Sequence, residues 1–232
     1  QKEFSAMQKR LVVCFDGTWN AADSQRAETN VVRLSRAIRA NSGADHIPQL
    51  CIYLKGVGTS GSQVERLVAG ATGAGIEDII RTAYLFLAQN YLPAHRDADG
   101  NDVPADEIFL FGFSRGAFAA RSLVGLLGSA GLLKRQSLGN LATAWTYYRD
   151  FRNRSPQDFV QRYARKAIQT HADVSVNFLG VWDTVGALGI PVGFLGELSG
   201  LVHGFHDTSP SRIIKHGAQA LAIDEYRDEF VP

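Results

Sequence analysis

Residues 108–121 of this chain read IFLFGFSRGAFAAR, an apolar run that breaks at a GxSxG pentapeptide and resumes with helical spacing. The pattern predicts a strand that delivers Ser114 to the start of a helix, which we place at about residues 117–127. Gly112 and Gly116 flank the serine where the absence of a side chain lets strand and helix approach closely. The sequence therefore predicts a nucleophile elbow, which holds the serine oxygen at a helix N-terminus and favours acyl transfer.

Length and charge bound the kind of protein this chain can be. Its 232 residues suit a single domain, residues 1–232, with a substantial buried core. A net charge of +1, with scattered basic residues, disfavours nucleic-acid binding. No apolar run is long enough for a transmembrane helix, and residues 1–10 lack the hydrophobic region of a signal peptide. We therefore expect a cytoplasmic protein by default, of unspecified oligomeric state.

Two cysteines, Cys14 and Cys51, each lie in a short apolar run. Such runs are typical of buried strands, so we interpret both residues as reduced thiols of the core rather than as a disulfide. This interpretation favours a reducing compartment.

Strand patterns and helix patterns alternate along the chain. Residues 10–15 are a basic residue followed by a continuous apolar run, as expected for a strand that is covered on both faces of a parallel sheet. We therefore predict an α/β-hydrolase-like fold, in which helices flank a mostly parallel sheet. Further predicted strands cover residues 48–54, 108–113 and 174–181, and predicted helices cover residues 31 to about 41 and 76–87 in addition to the elbow helix.

Two more helical patterns, residues 138–151 and 156–170, follow the elbow helix. We interpret residues 134–172 as a helical insertion or cap within the single domain. Its aromatic side chains either cover an acyl-binding cleft or pack against the sheet in the ordinary way. These side chains belong to Trp145, Tyr147, Tyr148, Phe151, Phe159 and Tyr163.

A serine nucleophile requires a base to take its proton, an acid to orient that base, and N–H donors for the developing oxyanion. Ser114 is the candidate nucleophile. Asp183 is the candidate acid, because it follows a predicted strand and follows the serine in chain order. The competing interpretation is that Asp183 only caps a turn.

The end of the first predicted strand supplies candidates for the oxyanion hole. Asp16, Gly17 and Thr18 follow that strand and are expected at the same edge of the sheet as Ser114. We predict that the backbone N–H groups of Gly17 or Thr18, together with that of Arg115, bind the oxyanion. Asp16 then organises the loop by accepting its N–H groups.

Asp16 has a second interpretation. An aspartate that follows an apolar strand and precedes Gly-Thr partly resembles the aspartyl-phosphate phosphatases of the haloacid dehalogenase type. Their second aspartate, two residues later, corresponds to Thr18 in this chain, which counts against that chemistry.

Six ordered motifs cover nearly the whole chain: CFDGTWN, YLKGVGT, GIEDIIRTAYLFLAQNY, EIFLFGFSRGAFAARSLVGLLGSAGLL, FLGVWDTVGALG and QALAIDEYRDEFVP. Together they resemble the DUF2235 hydrolase family, which includes type VI secretion phospholipase effectors of the Tle1 kind. The resemblance implies an α/β-hydrolase fold with Ser114 as nucleophile and Asp183 as triad acid. For the effector branch it also implies cleavage of phospholipid acyl esters and export without a signal peptide.

The general base is the residue that the sequence does not single out. The resemblance implies a histidine in a motif similar to GxHxDxGGG downstream of the ALAIDE segment, and the sequence reaches Pro232 before such a motif. We therefore expect a domain that is truncated on its C-terminal side. The internal candidates are His203 and His206 in a glycine-rich apolar stretch and His216 on a predicted helix, and loop or packing roles compete for each. His46, His95 and His171 precede Asp183 and fit the chain order less well.

The sequence thus predicts a serine hydrolase of carboxylic esters with no metal and no organic cofactor, and the resemblance implies phospholipid acyl esters as its substrates. Residues 186–205 are apolar and punctuated by glycines, and they either touch a lipid surface or form core packing or a lid. Two alternatives stay open. One is a catalytically inactive hydrolase-fold module for binding or assembly, and the other is a generic soluble esterase.

Overall fold

Strands and helices alternate in the structure, as the sequence predicts. The computed structural model describes residues 7–17, 28–43, 46–56, 75–150, 155–182 and 212–221. The strands are β1 (Arg10–Phe15), β2 (Asn41–Ser42), β3 (Ile47–Leu54), β4 (His95–Arg96), β5 (Asp102–Val103), β6 (Glu107–Phe113), β7 (Leu132–Leu133), β8 (Thr170–His171), β9 (Phe178–Trp182) and β10 (Gly217–Ala220). The α-helices are α1 (Asn30–Ala37), α2 (Ile76–Asn90), α3 (Arg115–Ala130), α4 (Leu141–Arg149) and α5 (Pro156–Arg162), and 3₁₀ turns cover Arg135–Asn140 and Ala164–Lys166.

The main sheet has six strands among the described residues, in the order β10-β9-β6-β1-β3-β2. All neighbouring strands are parallel except for the short antiparallel pair of β2 and β3. Phe15 of β1 pairs with Gly112 of β6, and Phe113 of β6 pairs with Trp182 of β9. The carboxyl ends of these three central strands therefore meet at one edge of the sheet, which is where open α/β folds place their functional groups.

The apolar run of β1 is covered on both faces of the sheet. Leu11, Val13 and Phe15 belong to a large core formed with α2, α3 and α4. The alternate residues Val12 and Cys14 pack with α1 on the other face. Helices thus flank a mostly parallel sheet, which confirms the predicted fold class.

A helical segment follows the elbow helix α3, and two short strands that pair with each other mark its start and its end. β7 and β8 pair antiparallel, with Leu132 opposite His171, and the helices α4 and α5 lie between them in sequence. Tyr147 and Phe159 are buried with their ring centroids 5.0 Å apart. These aromatic side chains therefore pack in the core, as the packing interpretation requires, while Phe151 lies outside the described residues.

Three details differ from the sequence expectations. Residues 217–220 form the parallel edge strand β10 rather than the predicted helix. Residues 96–106 before the elbow strand are polar and their sequence predicts a loop, but this segment contributes to a short hairpin of β4 and β5. Cys51 is exposed, because β3 is covered less completely than β1, whereas Cys14 is buried with its Sγ 4.0 Å from the Cys51 Sγ. Both thiols are free.

No helix within the described ranges is long and apolar enough to cross a membrane.

Candidate active site

Ser114 occupies a strained turn between β6 and α3. Its backbone has φ 55° and ψ −123°, a conformation that residues other than glycine rarely adopt. Three hydrogen bonds hold it: its N–H donates to the Trp182 carbonyl at 3.1 Å, and its own carbonyl accepts from the N–H groups of Ala117 at 2.9 Å and Phe118 at 3.3 Å. The side chain is partly exposed at the carboxyl edge of the sheet. This is the geometry of a nucleophile elbow.

The two flanking glycines are required by close approach of backbone to backbone. A Cβ added at Gly112 would lie 2.5 Å from the Gly116 carbonyl oxygen and 2.7 Å from the Ala117 Cα. A Cβ added at Gly116 would lie 2.6 Å from the Asp16 carbonyl oxygen. The first glycine therefore lets the helix fold back on its own strand, and the second lets the helix start rest on the end of β1.

Asp183 lies outside the described residues, but the residue before it does not. Trp182 ends β9 and accepts the Ser114 N–H. The carboxyl end of β9 therefore contacts the elbow, and Asp183 is the next residue in the sequence. The role of Asp183 as the triad acid stays a prediction.

Asp16 directly follows the neighbouring strand β1, and its carboxylate is buried, with 1% of the residue's surface exposed. Its Oδ1 accepts from the Gly17 N–H at 2.7 Å. Its Oδ2 accepts from the Tyr53 hydroxyl at 2.5 Å and from the Thr29 hydroxyl at 3.1 Å. Burial of a carboxylate is costly unless such donors satisfy it, so these bonds account for its place in the core. We refer to Asp16, Gly17, Thr29 and Tyr53 as the Asp16 clamp.

The candidate oxyanion donors differ in their surroundings. Gly17 follows β1 at the same edge of the sheet as Ser114, and the carbonyl of the preceding Asp16 lies close to Gly116 of the elbow. Its N–H is engaged by Asp16, and it is available to an oxyanion only when that bond breaks. Arg115 is the first residue of α3, where the helix dipole favours negative charge. Partial burial lowers the pKa of its guanidinium. Thr18 lies outside the described residues.

Two of the described histidines, His216 and His171, lie on or next to strands other than β6, which carries the elbow. His216 precedes β10, and its carbonyl accepts from the Leu179 N–H, three residues before the Trp182 that contacts the elbow. That offset corresponds to about 10 Å along the strands, and His216 is also two strands away, about 10 Å across. The fold thus separates the backbone of His216 from Ser114. His171 lies in the β7–β8 pair, and His203 and His206 lie outside the described residues.

Tyr53 and Thr29 are the site residues that sequence reasoning missed. Thr29 carries a local signal, since Thr29-Asn30 before the apolar stripe of α1 has the pattern of a helix cap, and its hydroxyl accepts the Val32 N–H at 3.1 Å. Its second bond, to Asp16, has no local pattern. Tyr53 is 37 residues from Asp16 in sequence, so only the pairing of β1 with β3 brings them together. Within the described part of the chain, no group of three His, Cys, Asp or Glu side chains is arranged to hold a metal ion.

Comparisons with known proteins cover nearly the whole chain. The family model described as "T6SS, Phospholipase effector Tle1-like, catalytic domain" matches residues 9–232. The uncharacterized protein YEL023C of Saccharomyces cerevisiae is 27% identical over 245 residues, which span 97% of this chain and 32% of the yeast protein. A solved structure of the Tle1 effector bound to the VgrG spike of the Type 6 secretion system matches with a TM-score of 0.46 and 20% identity, over 97% of this chain and 47% of that one. The chain thus spans about a third of the yeast relative and about half of the Tle1 chain.

Proposed function

The chain belongs to the family of Tle1-like phospholipase effector catalytic domains, and from that premise we propose that it is a serine hydrolase that cleaves carboxylic esters. The substrate class we propose is the acyl ester of a phospholipid. The observation that carries the proposal is the strained backbone of Ser114, at φ 55°, between a strand and the start of a helix. A serine held in this way presents its oxygen for attack on a carbonyl carbon.

The reaction proceeds in two acyl transfers. The Ser114 Oγ attacks the ester carbonyl, a histidine takes its proton, and the C–O bond to the alcohol breaks as that histidine returns the proton to the leaving oxygen. Water then attacks the acyl-serine, gives its proton to the same histidine, and releases the fatty acid as Ser114 regains its proton. Asp183 orients the histidine and stabilises its charged form. We propose that the histidine is contributed by sequence that follows the ALAIDE segment, with His203 and His206 as the internal alternatives.

The oxyanion of each tetrahedral intermediate is held by backbone N–H groups. We assign this role to Arg115 and Thr18, with Asp16 organising the loop from which Thr18 comes. Gly17 is a weaker candidate than the sequence indicates, because its N–H donates to Asp16. Donors of this kind contribute about 10²- to 10³-fold each to kcat in serine hydrolases.

The surroundings of the reaction follow from the family. Phospholipid substrates imply transient contact with a membrane surface, for which residues 186–205 are the proposed segment. We also propose that the protein acts as an effector that is exported without a signal peptide.

Hydrolysis by the full-length native protein tests this function. The Ser114→Ala variant is expected to lose activity on a short soluble ester by several orders of magnitude, since the nucleophile is removed. Ser129→Ala is the matched control, because Ser129 lies on the same helix and donates to the Gly125 carbonyl rather than to the site. Equal activity of the wild type and Ser114→Ala would overturn the assignment of the nucleophile.

A second assay separates the substrate classes. Long-chain phospholipid in vesicles and a short soluble ester are compared at equal enzyme concentration. Release of fatty acid from the vesicles supports the phospholipase, and turnover of the soluble ester alone supports a generic esterase. A native protein that is folded but hydrolyses neither is a binding or assembly module, which contradicts the proposal.

A further inference from the structure

The Asp16 clamp joins three elements beside the nucleophile. Asp16 and Gly17 directly follow β1, Tyr53 lies on β3, and Thr29 is the N-cap of α1. Gly17 is the last described residue before the connection between β1 and α1, and Thr29 immediately precedes α1. One carboxylate therefore holds both ends of this connection, Gly17 through Oδ1 and Thr29 through Oδ2.

The shortest hydrogen bond of the clamp is the one that Tyr53 donates. Tyr53 pairs with Cys14, so the two side chains share a face of the sheet, and the tyrosine ring extends along that face to Asp16. Its hydroxyl lies 2.5 Å from the Asp16 Oδ2, against 3.1 Å for the Thr29 hydroxyl. Hydrogen bonds to a carboxylate are about twice as strong as neutral ones, so the hydroxyls of Tyr53 and Thr29 together fix the orientation of the buried Asp16 carboxylate.

We propose that Tyr53 is a positioning residue of the hydrolase site, which acts through Asp16 to fix the Gly17 amide beside Ser114. The inference rests on the proposed function, because it assigns Tyr53 a role in that reaction. Gly17 lies at the edge of the sheet where Ser114 lies, and its bond to Asp16 fixes the peptide group with which the chain leaves β1. Glycine is conformationally permissive, so the bond from its N–H to Asp16 supplies a restraint that the residue itself lacks.

Removal of the tyrosine hydroxyl loosens this restraint without touching the nucleophile. In Tyr53→Phe, the Asp16 Oδ2 keeps only the Thr29 hydroxyl among the donors described, and the carboxylate gains freedom to rotate away from Gly17. Transition-state stabilisation then falls while ground-state binding of the ester is kept. The expected result for the full-length protein is a loss of about 10-fold or more in kcat on a soluble ester, with little change in KM.

The matched control is Tyr84→Phe. Tyr84 is also buried, and its hydroxyl donates to the Gly131 carbonyl and accepts from the Leu133 N–H, both at 2.8 Å. These partners follow the C-terminal end of α3, whereas Ser114 precedes its N-terminal end. This variant removes a buried tyrosine hydroxyl of structural importance and is expected to keep the wild-type kcat per folded molecule. Thr29 supplies a second comparison: Thr29→Ser keeps both bonds of the hydroxyl and is expected to retain kcat, whereas Thr29→Val loses both and is expected to lower it.

The rate of labelling by a fluorophosphonate probe is measured alongside hydrolysis, because it reports the reactivity of Ser114 directly. A wild type that hydrolyses esters, with Tyr53→Phe labelled and turning over as fast as Tyr84→Phe, would overturn the positioning role and leave the proposed function intact. A wild type that neither hydrolyses nor is labelled would overturn the proposed function and the positioning role with it. If Tyr53→Phe does not fold, equal kcat for Thr29→Val and Thr29→Ser contradicts the inference.

Discussion

Ser114 carries a backbone conformation that costs free energy. Residues held in sparsely populated backbone regions cost about 1–3 kcal/mol each and persist when the surroundings over-determine them. Here the surroundings are the Trp182 carbonyl on one side and two helical N–H groups on the other. The strain places the side chain at the partly exposed edge where three strand ends meet, which is the kind of site where such a cost accompanies function.

The close contact at Gly116 leads to a stability prediction. Gly116→Ala is expected to lower the free energy of unfolding by about 2–3 kcal/mol, because the new Cβ meets backbone atoms at the end of β1 that cannot move aside. Gly139→Ala is the control, since a Cβ at Gly139 meets nothing within 4 Å. Urea unfolding of the two variants measures the difference. Equal midpoints would mean that the helix start does not rest on β1 as described.

The elbow and its partners differ in how far the sequence could predict them. The glycines at two positions before and after Ser114 are a local pattern, and the close contacts that they permit were predicted. The Asp16 clamp is not local, because Tyr53 and Thr29 lie 37 and 13 residues away from Asp16. The sequence did lead us to expect that Asp16 accepts N–H groups of its loop, and in the structure its Oδ1 accepts the N–H of Gly17.

Among the elements, the paired strands β7 and β8 show how burial produces a pH dependence. His171 of β8 packs edge-on against Tyr91, with ring centroids 5.3 Å apart. Burial, and secondarily the charge of Lys134, lower the pKa of His171. The folded protein therefore binds this proton less tightly than the unfolded chain, whose histidines titrate near a pH of about 6.5. The stability that neutral His171 contributes is present above that pH and is lost as the pH falls below it.

The corresponding prediction compares two histidine variants. His171→Gln is expected to lose less stability than the wild type when the pH is lowered from about 8 to about 5.5, because the residue that resists protonation in the fold is gone. His216→Gln is the control, since its side chain is exposed. Urea midpoints at both pH values give the measurement. An unchanged pH dependence in His171→Gln would contradict the burial of a neutral histidine at this position.

The elements themselves were predicted where the residue pattern is strong. β1 occupies residues 10–15 as predicted, because a continuous apolar run is covered on both faces. The elbow helix extends further, over Arg115–Ala130, since it begins directly after Ser114 and its apolar residues continue to its end. β10 could not be read as a strand, because Gly-Ala-Gln-Ala lacks β-branched and aromatic residues and pairing with β9 alone specifies it.

In the whole molecule, the order of the strands assembles the site. β1, β6 and β9 are adjacent, and they bring Gly17, Ser114 and Trp182 to one edge of the sheet. The alternation of strands and helices in the sequence is sufficient to predict a parallel sheet with its site at the carboxyl edge. It is not sufficient to predict the general base, because no strand pattern in the sequence places a histidine beside Ser114.

The proposed role of Ser114 as a nucleophile is tested by covalent modification of its side chain. The full-length native protein is treated with a fluorophosphonate, digested, and analysed by peptide mass spectrometry. We predict a phosphonyl group on Ser114 in the wild type, and none at this position in Ser114→Ala. A wild-type protein that leaves Ser114 unmodified, while a reference serine hydrolase in the same solution is labelled, would contradict the claim.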